Sequence, residues 1–394
     1  MADKTSKPDG QGKASVVTHA GRDPFSAHGF VNTPVYRGST VLFPTYERLK
    51  AYDQRYTYGR NTSPTTDALC EAICQLEGGA YTVLATSGLH AVTTAILSFV
   101  EAGDEILMTD SVYYPTRRFC EQVLRRIGVN TVYYDPLIGA GIGELVNEKT
   151  RLIFTESPGS QTFEIQDIPA IVAAAKSRDI WILMDNTWAT PIYFDAFQHG
   201  VDVSIQSATK YLVGHADALL GSVTANDKAA PLVKRASIAL GNAAGSEETF
   251  LGLRGLRTLE VRLARHQASG LEIARWLQQR SEVVEVLHPA LPEMPGHEIW
   301  KRDFTGASGL FSIVLNPVSE QALAALLDDL KYFGMGYSWG GYESLIVPFE
   351  CSVTRTATTW NRPGPALRLH IGLEDVDDLK ADLEAGFERM RAVG

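Results

Sequence analysis

No stretch of this chain stays apolar long enough to cross a bilayer. The longest run, Ala91 to Val100, falls well short of the ~20 residues a spanning helix needs. Cysteine is scarce too: Cys70, Cys74, Cys120 and Cys351 are too few to frame 394 residues with disulfides, which points to a reducing compartment. Cys70 and Cys74 stand one helical turn apart, but no CxxC or paired histidine follows to complete a metal site, so two helix thiols and no metal are expected. Positive charge is also in short supply. The net charge of -10 is the wrong sign for nucleic acid or an anionic membrane surface, both of which reward cations. The opening MADKTSKPDGQGKAS has no apolar leader core and is polar enough to fray. A cytoplasmic protein acting on small molecules is the expectation.

What is present is an ordinary globular composition, 45% hydrophobic and 21% charged, in a chain too long for one core. Residues 1–60 are irregular and rich in Tyr, Pro and Gly, and read as an arm crossing other surfaces. Residues 61–256 alternate short apolar runs with helical patterns. YTVLATSG, EILMTD, TVYYD, RLIFTESP, DIWILMDN and VDVSIQSA each end in polar or small residues, with helices such as CEQVLRRIG and IPAIVAAAKSR between them. This alternation predicts an α/β domain, a mostly parallel sheet with helices on both faces. Ligands of such sheets collect beyond the strands' carboxyl ends, which singles out Ser87, Asp110, Glu156, Asp185 and Ser207. Residues 257–394 predict a smaller α/β domain: a long helix over TLEVRLARHQASGLEIARWLQQR, strands VVEVLHP, GLFSIVLN and ALRLHIG, a helix over ALAALLDDLKYF, and a last helix striped by Leu379, Leu383, Phe387 and Met390.

Lys210 follows the strand-like VDVSI in the run QSATKYLVGH. A surface lysine is the plain alternative there, but an amine near strand ends forms Schiff bases readily and loses its proton when desolvated. Ser207 and Thr209 add hydroxyls suited to phosphate. Asp185 ends WILM, where a buried carboxylate needs a cation such as a pyridinium nitrogen. Lysine, carboxylate and hydroxyls together form the set that pyridoxal 5'-phosphate requires. In TVLATSGLHAVTTAILSF, Gly88 and Leu89 would offer unpaired N–H groups at a helix start. Tyr113 lies just past a strand end, where a ring could stack on a pyridine. In the arm, YTYGR joins Tyr56 and Tyr58 to Arg60, a guanidinium suited to phosphate; if it reaches a neighbouring subunit, the site is shared and the protein an oligomer. In ALRLHIG, Leu367, Leu369 and Ile371 alternate inward, leaving Arg368 and His370 on the other face. Arg368 is either a solvated strand arginine or a partner for a carboxylate.

YTYGR, TESPGS, MDNTW, SATKYLVGH, RGLRTLEVR, YSWGGYESLI and RLHIGLEDVDDL, in that order along a stretch from about residue 16 to the end, closely resemble the Cys/Met-metabolism branch of fold-type I pyridoxal-phosphate enzymes. The resemblance implies a transferase-like fold with a large and a small domain, and a homotetramer of dimers with shared active sites. It implies that Lys210 carries the cofactor and shuttles protons, that Asp185 holds the pyridinium and that Tyr113 stacks on the ring. Gly88, Leu89, Ser207 and Thr209 would hold the phosphate, with Tyr58 and Arg60 of the adjacent subunit. That subunit's Tyr56 would border the substrate pocket, and Arg368, with Ser338 nearby, would bind the substrate carboxylate. Two departures narrow the reading. ESPGSQ puts Ser160 where many relatives have Asn, and Ser338-Trp339-Gly340-Gly341-Tyr342 replaces the SLGG of γ-acting relatives, bringing bulky Trp339 to the pocket. Both variants are similar to the β-eliminating members, so the implied activity is α,β-elimination of L-cystathionine in methionine biosynthesis, with related cysteine thioethers or cystine as further substrates. A γ-acting enzyme or a low-turnover binding protein on the same fold are the alternatives.

Overall fold

The apolar runs of the large unit become one seven-stranded sheet. Its strands are β1 (Tyr81–Ala85), β2 (Glu105–Thr109), β3 (Asn130–Tyr134), β4 (Thr150–Glu156), β5 (Trp181–Asp185), β6 (Val203–Gln206) and β7 (Gly221–Ala225), in the order β1-β7-β6-β5-β4-β2-β3. The structure, a computed structural model, describes residues 11–393. All strands run parallel except β7, which is antiparallel to both neighbours. Sequence patterning does not flag β7, because GSVTA is short and built of small residues. Helices cover both faces of the sheet, so the central strands have no polar face. Leu107, Ile153, Ile182 and Met184 pack on one side, and Ile106, Met108, Leu152, Phe154 and Leu183 on the other.

A second sheet holds β8 (Val283–Leu287), β9 (Leu310–Leu315), β10 (Leu345–Phe349) and β11 (Ala366–His370), antiparallel throughout in the order β10-β11-β9-β8. β10 carries Pro348, which a sheet tolerates at its edge and which masks the strand in the sequence. Helix Val376–Val393 buries the predicted stripe Leu379, Leu383, Phe387 and Met390 in the same cluster as Leu367, Leu369 and Ile371. The helix predicted over residues 322–333 is shorter, Glu320–Leu327. Beyond it the carboxylate of Asp382 accepts the N–H groups of Lys331, Tyr332 and Phe333, at 2.8, 2.7 and 3.3 Å, in place of helical carbonyls.

The predicted fraying start lies outside the described residues as far as residue 10. Its last part does not fray: Lys13–His19 is helical, with Val16 and Val17 buried in the cluster that holds Leu69 and Ile73. Lys13 Nζ donates to the carbonyls of Pro191 and Ile192. The arm beyond this helix is irregular apart from a short helix, Tyr46–Ala51, and exposes Phe25, Phe30, Leu42 and Tyr46. Among the described residues no helix is long and apolar enough to cross a membrane.

Candidate active site

The carboxyl ends of β1, β5 and β6 meet at one edge of the large sheet. Ser87 caps helix Gly88–Leu97 by accepting the His90 N–H at 3.1 Å, and the helical ladder begins with Ala91 donating to the Ser87 carbonyl. The N–H groups of Gly88 and Leu89 therefore stand ahead of the ladder, at the positive end of the helix. A Cβ on Gly88 would lie 2.2 Å from Ser207 Oγ, so only glycine lets this turn close on the turn after β6. Thr187 ties Ser207 to Asp185: its hydroxyl accepts the Ser207 N–H at 2.8 Å and itself donates to the Asp185 carboxylate, which also accepts the Thr187 N–H at 3.0 Å. Sequence reasoning missed Thr187, although it lies within the quoted MDNTW.

Lys210 follows on the same turn. Its Nζ donates to Ser338 Oγ at 2.6 Å and lies 5.2 Å from the centre of the Trp339 ring. Burial, then the charge of Arg368, lowers its pKa to about 8, against an upward pull from Asp185. A neutral amine is thus accessible near physiological pH. Arg368 donates to the carbonyl of the same Ser338 at 3.1 Å, and burial brings its pKa down to about 10, which leaves it charged. Trp339 packs on Tyr211, with ring centres 5.4 Å apart. Trp339 thus stands both by Lys210 and next to Ser338, which Arg368 holds. A cleft of about 490 Å³, lined in part by Thr209, Ala218, Tyr337, Ser338 and Trp339, adjoins this segment, although neither Lys210 nor Arg368 lines it.

Asp185 is not the only carboxylate at this edge. Glu156 ends β4 in register with Asp185 on β5 and accepts the Tyr113 N–H at 2.8 Å. Burial and the neighbouring Asp185 push the Glu156 carboxyl well up, with Ser160 pulling against them. Burial also raises Asp185, against the opposing pull of Thr187 and Lys210. Tyr113 stands at the start of helix Tyr114–Gln122, and desolvation and the charges of Glu156 and Asp185 raise its phenol. A strand-end signal marked Glu156 and Asp110 in the sequence without assigning either a task. Asp110, buried at the end of β2, accepts Arg117 at 2.5 Å and the N–H groups of Thr356, Ala357 and Thr358, at 3.0, 3.1 and 2.8 Å. It fastens the segment between β10 and β11 beside Tyr113.

Other predicted residues stand differently. Thr209 spends its hydroxyl on Leu220, donating to the carbonyl at 3.0 Å and accepting the N–H at 2.9 Å. Leu89 is partly exposed at the helix start. Arg60 donates to the Ile238 carbonyl at 3.3 Å and covers the Tyr58 ring. Tyr58 pairs with Thr40, and Tyr56 sits by Arg55 and Asp67. None of these contacts reaches Lys210, Asp185 or Gly88.

A cofactor carrying an aldehyde, a basic ring nitrogen and a phosphate fits these residues. The glycine turn on Ser207 presents N–H groups to an anion, a half-buried carboxylate with a raised pKa asks for a cationic partner, and a lysine of lowered pKa follows on the Ser207 turn. Sheet and site together define a pyridoxal-phosphate enzyme of fold type I. The chain belongs to the Cys/Met metabolism PLP-dependent enzymes, a family matched over residues 14–388. It is 45% identical to the cystathionine beta-lyase MetC of Escherichia coli, over 99% of this chain and 100% of that one. It is also 45% identical to the cystathionine beta-lyase of Salmonella typhimurium, over 95% and 98%. Its fold superposes with a TM-score of 0.90 on cystathionine gamma synthase from Xanthomonas oryzae, at 29% identity, over 98% of this chain and 100% of that one.

Proposed function

We propose that the protein catalyses α,β-elimination of L-cystathionine to L-homocysteine, pyruvate and ammonia, a step of methionine biosynthesis. The observation that carries this reading is Ser338, which holds Lys210 by its hydroxyl and Arg368 by its carbonyl, in a chain so close to named cystathionine beta-lyases. Arg368 binds the substrate α-carboxylate through its fork of donors. Bound pyridoxal phosphate supplies an electron sink for the α-carbon. Asp185 would hold the cofactor's ring nitrogen in its protonated form. Lys210 Nζ, oriented by Ser338, takes the α-proton. The Cβ–S bond breaks, and Tyr113, whose phenol desolvation and the charges of Glu156 and Asp185 hold further to the protonated side, or Lys210 delivers a proton to the departing sulfur. The aminoacrylate released hydrolyses in water. The test is keto-acid analysis of wild type and Lys210→Ala with cystathionine: pyruvate from the first and none from the second is expected, and wild-type pyruvate output from Lys210→Ala ends this mechanism.

γ-Elimination is the second reading, favoured by the TM-score of 0.90 to a γ-synthase; 2-oxobutyrate in place of pyruvate would select it. The assembly we infer is a homotetramer of dimers, with Tyr56, Tyr58 and Arg60 completing the neighbouring site. Support comes from the apolar exposure of the arm and from the distance of YTYGR from its own Lys210 implied by its contacts. A cytoplasmic location suits the four free thiols.

A further inference from the structure

The two C-terminal motifs, SWGGYES and RLHIGLE, are laced together along their length. Arg368 donates to the Ser338 carbonyl at 3.1 Å, and His370 Nε2 stands 3.1 Å from the Gly340 nitrogen. The Leu373 N–H reaches the Tyr342 carbonyl at 2.8 Å, and the Gly372 N–H reaches Ser344 Oγ at 2.9 Å. Glu374 closes the series by accepting the Ser344 N–H at 2.7 Å and its hydroxyl at 2.9 Å. Arg368 and His370 thus hold 338 and 340, Leu373 holds 342, and Gly372 and Glu374 both hold 344.

His370 is the central grip. It is buried, and its Nε2 faces both the Gly340 N–H and the Gly341 carbonyl at 3.1 Å. Protonated on Nδ1, which has no partner among the described residues, the ring accepts from Gly340; protonated on Nε2, it donates to Gly341. Burial first, then the charges of His266, Arg368 and Lys210, hold the pKa of His370 well below the ordinary value, which keeps the ring neutral. Gly340, at φ +85°, lies directly on the lysine: a Cβ there would stand 2.9 Å from both the Lys210 carbonyl carbon and the Tyr211 nitrogen. Tyr211 in turn packs near His370 and His266, with ring centres 6.0 and 5.3 Å away.

We propose that His370 is a positioning residue for Lys210: by holding the Gly340–Gly341 backbone through Nε2 it seats the Ser338–Gly341 segment on the Lys210–Tyr211 backbone and so keeps Ser338 Oγ on the lysine amine. It does not touch substrate. The proposal rests on Lys210 being the working lysine, and it is independent of which thioether is cleaved. The charged groups facing Lys210 are Arg368 and Asp185. A loosened segment admits water and slackens Arg368, and both changes raise the pKa of the amine.

The experiment acylates full-length protein stripped of cofactor across a range of pH and quantifies the Lys210 peptide by mass spectrometry. His370→Leu, which removes Nε2, is expected to move the Lys210 midpoint up by about one pH unit, a tenfold loss of free amine at neutral pH. His370→Gln, which can place an amide where Nε2 stands, should restore the wild-type midpoint. In the cofactor-loaded proteins the His370→Leu defect should appear in kcat more than in KM. A folded His370→Leu protein with the wild-type midpoint overturns the proposal. If His370→Leu does not fold, Gly340→Ala decides: it unseats the segment without touching the imidazole and should reproduce the upward shift, and an unmoved midpoint there overturns the proposal equally. Because the readout is the amine in unloaded protein, a wrong substrate assignment would leave it unaffected.

Discussion

Glu156 and Asp185 end adjacent parallel strands in register, a buried and a half-buried carboxylate side by side, with Glu156 accepting the Tyr113 N–H. Like charges in one low-dielectric place cannot both ionise cheaply. The pair holds one proton readily and asks for a cation to release it.

The first prediction follows from that pair. The folded-state pKa of Glu156 is raised, so folded protein holds a proton that unfolded protein has lost, and stability falls as pH rises from the ordinary glutamate value of about 4.3 toward about 8. Glu156→Gln stays neutral and escapes this loss. Its melting temperature in cofactor-free protein, relative to wild type, should climb by about 2–4 °C between pH 5 and 8. A flat difference across that window would refute the shared proton.

Asp110 works in the opposite sense. Burial disfavours its charge, but the Thr356 N–H, the hydroxyl and N–H of Thr358 and Arg117 outweigh that and hold its pKa below the ordinary range. Its stability contribution is present above the unfolded value and lost as pH falls through the folded one. Asp110→Asn strands buried Arg117 and should cost about 3–5 kcal/mol in urea denaturation near neutral pH. The difference from wild type should narrow in acid, and proteolysis should open residues 351–362 first.

Ser338 adopts φ +82°, a conformation that favours glycine. Ser338→Gly loses the hydroxyl but relieves the backbone, whereas Ser338→Ala loses the hydroxyl and keeps the strain. The glycine variant should be more stable by about 1 kcal/mol, with both variants lowered in kcat. Equal melting temperatures would argue against strain at this position.

Arg368→Lys preserves charge and discards the fork. Steady-state kinetics should show KM for cystathionine raised roughly 10- to 100-fold, with a smaller change in kcat. A KM that stays put would remove Arg368 from the carboxylate site.

Arg60→Ala and Lys210→Ala should each be inactive alone if the arm completes a neighbour's site. Random reassembly of an equal mixture should restore activity to about a quarter of wild type. No recovery would confine Arg60 to its own chain.

Much of this was legible in the sequence, for a physical reason. Strand ends are marked locally, because an apolar run must stop where a polar residue takes over, and so Asp110, Glu156, Asp185 and Ser207 could be picked out. Alternation put Arg368 and His370 on one face of β11. What they touch was not legible. The partners of Asp110 lie at Thr356 to Thr358 and that of Lys210 at Ser338, brought near only by the packing of the two sheets. β7 escaped notice because small residues carry little periodicity, and β10 because an edge proline looks like a break. The hydroxyl of Thr209 turned to Leu220 because a backbone N–H and carbonyl lie within its reach.

The lacing of SWGGYES to RLHIGLE limits how such an enzyme can be re-engineered. Trp339 cannot be exchanged as a pocket residue by itself, since the backbone that carries it is clasped on either side by Arg368 and His370. Grafting the SLGG of a γ-acting relative would import a loop cut to a different clasp. A transplant stands a chance only if both motifs move as one graft.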